Sequence, residues 1–174
     1  MRRTVCLMII LFAFLPVGQA AAQQGLGPIP KGRYEQIEVT RFEVDDGIDF
    51  PPAFMDSINE EIIARLQETK KFKRVLHEGE KKPPAADVPA IKLVGRIVSY
   101  KPGSPALRFF VGLGAGMTRI VAHVQYLDRA TGAIWYEDDM DGKVILDRRA
   151  RKESIGATRG LAKEVVNQTV KVFF

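Results

Sequence analysis

The chain has 174 residues, of which 46% are hydrophobic and 27% charged, with one cysteine and a formal net charge of +5. That length suits one domain of about 100–200 residues. The charge is too small to argue a nucleic-acid partner, and a lone cysteine excludes an internal disulfide or a cysteine-built metal site.

Chain order begins with Arg2 and Arg3, then the uncharged run VCLMIILFAFLPV, then GQAAAQQ. A positive start, a short apolar stretch and small residues form a secretory signal peptide. Ala20 and Ala22 fill the two small positions, which places cleavage between Ala22 and Gln23. The run falls short of the ~20 apolar residues of a bilayer-spanning helix. Cys6 lies too early to accept a lipid at the cleavage point. The reading is general secretion, giving a periplasmic or secreted protein, with outer-membrane association as a variant. Loss of residues 1–22 removes Arg2, Arg3 and Cys6, leaving 24 cations against 21 acids and no thiol.

Residues 23–33 are Gly- and Pro-bearing without a period, a flexible lead-in. YEQIEVTRFEV has the composition of a strand, and its apolar phase shifts near Arg41, which predicts a bulge. Pro51 and Pro52 suit a first helical turn. Phe54, Ile58, Ile62 and Leu66 then recur every four residues with Met55 and Ile63 beside them, the stripe of a helix that ends near Lys70, Lys71 and Lys73. FKRVL predicts a second strand and AIKLVGRIVSY a third. TRIVAHVQYLD alternates, setting Ile120, Ala122, Val124 and Tyr126 on one face and Arg119, Val121, His123 and Gln125 on the other. Gly132 closes a turn, AIWYEDDM returns as a fifth strand, and Ser154 caps a helix over residues 155–172 with Leu161, Ala162, Val165, Val166 and Thr169 inward. The expected fold is α+β over residues 34–174. It is a single mixed sheet of about five strands in βαββββα order, covered by two helices. The first βαβ unit is a parallel crossover and the rest is antiparallel.

The pattern IEVTRFEV, an amphipathic helix, KKFKRV, IKLVGRIVSY, RFFVGLGAG and AHVQYLDRATGAIWY resembles the bacterial family called domain of unknown function 4410. The most specific pieces are the arginine before spaced glycines and the turn of Asp128, Thr131 and Gly132. More distantly, the layout is similar to periplasmic domains of the curli secretion channel and of penicillin-binding-protein activator lipoproteins. The resemblance implies an exported, envelope-associated domain with no assigned catalytic residues. The distant relatives work by protein–protein contact, and they are usually lipid-anchored, whereas this leader lacks the lipid-accepting cysteine.

RFFVGLGAGMT is the least ordinary stretch. Gly112, Gly114 and Gly116 have even spacing and precede a strand, whereas a dinucleotide fingerprint needs Gly-x-Gly-x-x-Gly opening a helix. Extended, the three glycines share one face on which another backbone can pack, with Arg108 at its polar edge. A flexible apolar loop is the plainer alternative. Membrane contact is a third, since FFVGLGAGMT matches the ~9–11 residues of a spanning strand. Arg148, Arg149, Arg151 and Lys152 precede the last helix, where cations oppose its dipole, so they form either a solvated loop or a patch for an anionic envelope partner. EDDMDG aligns Glu137, Asp139 and Asp141 with early calcium-loop ligands, but the closing position is Arg148 instead of glutamate, so the run reads as solvated strand-end carboxylates. Asp45, Asp46 and Asp49 belong to a helix entry. His77 and His123 make no zinc pattern.

These observations give a non-catalytic envelope binding or assembly module with no cofactor and no metal. Its partner is an envelope protein or a second copy, with membrane-surface contact and no nucleic acid. The alternatives are an envelope hydrolase whose carboxylates converge in space and an oligomeric membrane-inserting secretion or pore component.

Overall fold

The computed structural model of the protein describes residues 28–29, 31–78, 80, 88–104, 117–143 and 153–174. The elements run β1 (Gln36–Val39), β2 (Glu43–Val44), α1 (Pro52–Thr69), β3 (Arg74–His77), β4 (Ala90–Lys101), β5 (Arg119–Asp128), β6 (Ile134–Lys143) and α2 (Glu153–Phe173). The sheet order is β3-β1-β4-β5-β6, with β2 also on β4. The expected α+β class and mixed sheet are present. The sixth strand arises because the first predicted strand is broken in two.

That break is the predicted bulge. Val39 pairs with Leu93, and Glu43 pairs with Arg96. The β1–β2 chain thus advances one residue more than β4 between the two registers, the signature of a bulge. Thr40 anchors the step, its N–H and its hydroxyl each donating to Leu93 O at 3.0 Å. The extra residue swings Phe42 across Gly95, where a Cβ would meet the Phe42 ring. Only a residue without a side chain leaves room there.

One sequence expectation is corrected. β1 is parallel to both β3 and β4, and among the described residues the antiparallel pairs are β4–β5 and β5–β6. β4 takes the free side of β1, because β3 already occupies the other. The step from β3 to β4 therefore joins parallel strands.

Both helices lie on one sheet face. α1 starts with Pro51 at its cap and Pro52 in the first turn, and ends on Lys70 in the left-handed conformation, φ 54°. It buries Ile58, Ile62 and Leu66 of the expected stripe together with Met55 beside it. Phe54 is half-buried instead, edge-on to Phe50 and Tyr100. α2 begins at Glu153, which puts Ser154 inside the first turn. Leu161, Ala162, Val165, Val166 and Thr169 are all buried, as the sequence indicates. So are Ile120, Ala122, Val124 and Tyr126 on β5. Each large apolar side chain removed from water in this layer contributes roughly 1.5–3 kcal/mol. α2 approaches β6 closely over Gly142, whose Cβ would lie 2.6 Å from Leu161 Cβ and 2.7 Å from Ala157 O. The Tyr126 hydroxyl reaches through the layer, donating to Val165 O at 3.0 Å beside Thr169 Oγ1 at 2.9 Å, and burial raises its pKa.

Candidate contact surface

The residues singled out for recognition, Arg108, Gly112, Gly114 and Gly116, lie outside the described residues. So do Arg148, Arg149, Arg151 and Lys152, and the cleavage pair Ala22 and Gln23. What is described is the base from which the glycine stretch departs. The β4–β5 pairing ends at Lys101 opposite Arg119, and Gly103 N–H donates to Thr118 Oγ1 at 3.1 Å.

The sheet face away from the helices is polar, and its register decides which side chains meet. Arg119 contacts Asp141 at 2.7 Å. That hydrogen bond and the carboxylate's charge push the guanidinium pKa further up. His123 sits between two acids, with Nδ1 2.8 Å from Asp139 and Nε2 3.7 Å from Glu137. Gln125 donates to Glu137 at 2.8 Å. Arg96 meets Asp45 at 3.5 Å, and Arg129 meets Glu38 at 2.6 Å. The β5–β6 contacts among these are cross-strand pairs, the side-chain unit that stabilises a sheet.

The acids compared with a calcium loop are strand carboxylates, the alternative reading of that run. Glu137, Asp139 and Asp141 lie in the extended strand β6, so they project from one sheet face where a metal-binding loop would curl them around a centre. Among the described residues, no group of three or more His, Cys, Asp or Glu is placed to hold a metal ion.

The Asp-x-x-Thr-Gly turn has a structural role. Asp128 Oδ1 accepts from the N–H groups of Ala130 at 2.9 Å and Thr131 at 3.0 Å, and Gly132 turns the chain at φ 71°. Asp128 Oδ2 accepts from the Tyr34 hydroxyl at 3.0 Å. Burial works to raise the Asp128 carboxyl, but the hydrogen bonds from Thr131, Tyr34 and Ala130 prevail and hold it below the usual aspartate value. Burial, and then the Asp128 bond, push Tyr34 up to about 12.

Among the described residues, the main strand order ends at β3 on one side and at β6 on the other. A groove of about 500 Å³ runs beside β6, walled by Asp138, Asp139 and Asp141 on the strand and Lys163, Glu164 and Asn167 on α2. Beside β3 a groove of about 580 Å³ lies between His77 and Glu78 and the α1 residues Asp56, Asn59, Glu60 and Ile63. Asn59 Oδ1 is buried there with no hydrogen-bond partner among the described residues. Sequence reasoning did not single out either edge as a surface. The one available signal was the acid run at 137–141 in the last strand.

The fold defines a class: an α+β domain whose two helices cover one face of a mixed sheet, leaving the other face polar. Within that class, the family model described as a domain of unknown function, DUF4410, matches residues 45–158, and the chain belongs to that family. A PelC dodecamer from Paraburkholderia phytofirmans is similar in fold, with a TM-score of 0.54, 12% identity, and 84% of this chain and 92% of that chain covered. A DUF330 protein from Xanthomonas campestris is similar at a TM-score of 0.55, 12% identity, and 83% and 91% coverage. A hypothetical protein from Chlamydia trachomatis is similar at a TM-score of 0.51, 11% identity, and 80% and 98% coverage. No curated protein matches the sequence. Among the described residues, no helix is long and apolar enough to cross a membrane.

Proposed function

We propose that the protein is an exported cell-envelope module that works by protein–protein contact, self-association included, and carries out no reaction of its own. The observation that carries this reading is how the chemistry-bearing side chains are used. His123, Glu137, Asp139 and Asp141 are spent on cross-strand pairs on an exposed face, and Asp128 on a turn. A catalytic pair needs acids converging on one point in a sheltered cleft. The PelC relative is a dodecamer, which supports assembly as the mode of action. The leader reading supports an envelope location.

The test has two parts. N-terminal sequencing of periplasmic protein should begin at Gln23, and a chain retaining Met1 to Ala22 there would overturn the export reading. Sedimentation of that protein, with co-purification from membrane extracts, should show a complex. A monomer without partners that turns over a glycan, peptide or phosphoester substrate, and loses turnover on Asp139→Ala, would overturn the module.

A further inference from the structure

We infer that an extended, cation-bearing segment of a partner polypeptide adds to the sheet beside β2, in a lane that β3 leaves open. This names the partner chemistry of the module reading and rests on it. β1 and β2 both pair with β4, so they follow one lane of the sheet. β3 fills the next lane only beside β1, level with residues 36–39. It ends at His77, where Glu80 N–H donates to His77 O at 3.2 Å and the chain turns. Beside β2 the lane is open among the described residues. Val44 shows this: it stands level with the buried Ile97, yet is 37% exposed. Asp45 N–H points toward β4, donating to Ile97 O at 3.0 Å. Main-chain groups alternate in direction along a strand, so those of Val44 point away, into the lane. Such an edge is a template for another strand.

α1 roofs this lane. Asp56, Asn59, Glu60 and Ile63, spaced i, i+3, i+4 and i+7, share one helix face. With Val39, Arg41, His77 and Glu78 they enclose the groove of about 580 Å³. A groove between an edge strand and a helix holds an extended peptide, main chain on the strand and side chains in the groove. Charge selects the occupant. Arg41 is compensated by Asp56 at 2.8 Å, and Arg96 by Asp45 at 3.5 Å. Glu43, Glu60 and Glu78 have no ion pair among the described residues, and Glu78 accepts the uncharged main-chain N–H of Arg41 at 3.0 Å. Three uncompensated carboxylates along one lane favour lysine or arginine side chains. Asn59 Oδ1, buried without a hydrogen-bond partner among the described residues, adds an unused acceptor at the same wall.

The experiment titrates the chain purified from the periplasm against a short, fluorescently labelled peptide of alternating Val and Lys, read by anisotropy. A Val-Glu peptide of equal length and a Val-Lys peptide with N-methylated amides are the controls. The Val-Lys peptide should bind, and bind less as salt rises. Binding should fall about tenfold or more on N-methylation, and likewise on Val44→Pro, which removes the outward N–H and spares the pairing with β4. Glu43→Gln with Glu60→Gln should weaken it about three- to tenfold. Circular dichroism is the folding control, and should Val44→Pro fail to fold, the N-methylated peptide tests the same bonds. Equal binding by the N-methylated or the Val-Glu peptide, or no binding at all, would overturn the proposal, while a complex still recovered by co-purification would leave the module reading standing. Self-association of the wild type that Val44→Pro abolishes would give the lane to a second copy and overturn the separate partner.

Discussion

Phe42 and Gly95 provide the sharpest check on the packing. A methyl group added at position 95 would fall on the Phe42 ring, which is itself buried against the sheet. In an unobstructed strand, Gly→Ala gains roughly 0.5–1 kcal/mol by restricting the unfolded chain. Overpacking a well-filled site costs about 1–3 kcal/mol. Gly95→Ala should therefore destabilise by a net ~1–2 kcal/mol, and the sign alone is informative. Phe42→Ala should cost about 3–5 kcal/mol through lost burial and a cavity. With the ring gone, the added methyl has space, so the double variant should be no worse than Phe42→Ala. The coupling energy is then ~1–2 kcal/mol, against the ~0.3–0.5 kcal/mol scatter of independent sites. Urea unfolding followed by circular dichroism measures all four corners of the cycle, with the Gly95→Ala midpoint moving down by roughly 0.5–1 M. A neutral or stabilising Gly95→Ala, or strict additivity, would refute the claim that the bulge drives Phe42 over this glycine.

Three further outcomes follow from polar groups the fold ties down. Asp128→Ala leaves two turn N–H groups and the Tyr34 hydroxyl without their acceptor and should cost about 1–3 kcal/mol at neutral pH. Because the folded-state carboxyl titrates below its unfolded value of about 3.9, its contribution is present above that pH and lost as pH falls through the folded value, so the gap between wild type and variant should narrow in acid. Tyr34 behaves in the opposite sense: with its folded pKa at about 12, its contribution is complete below the unfolded value and lost as pH rises toward 12, and Tyr34→Phe should flatten that alkaline decline in a thermal melt. Tyr126→Phe should cost only ~0.5–1.5 kcal/mol by urea titration, because Thr169 still donates to Val165 O at 2.7 Å.

Local pattern carried the elements well and the assembly of elements less well. Alternation placed Ile120, Ala122, Val124 and Tyr126 inward because a half-buried strand has a period of two, whatever its neighbours are. The phase shift at Arg41 revealed the bulge for the same reason. The parallel pairing of β1 with β4 was not legible, because residues 36–39 and 90–93 meet across a long sequence separation that no window spans. In α1, Ile58, Ile62 and Leu66 are buried as the stripe indicates, but Phe54 is only half-buried because it finds aromatic partners, Phe50 and Tyr100, that only the folded chain brings together. At the candidate surface, EDDMDG showed its acids but not their orientation. That Asp139 meets His123, and Asp141 meets Arg119, follows from the β5–β6 register, which a hairpin with a bulge near Tyr126 does not announce.

Gly32 N–H donates to Phe173 O at 2.8 Å, across nearly the full length of the domain. Tyr34, next along, packs edge-on against the Phe173 ring. During synthesis the segment around Gly32 leaves the ribosome well before its docking site at Phe173. The sheet strands have partners sooner, but this clasp closes only once α2 has been completed and laid down. Contacts of such sequence separation form late and slowly. The clasp that fixes the start of the domain therefore closes in the same event that seats α2 on the core.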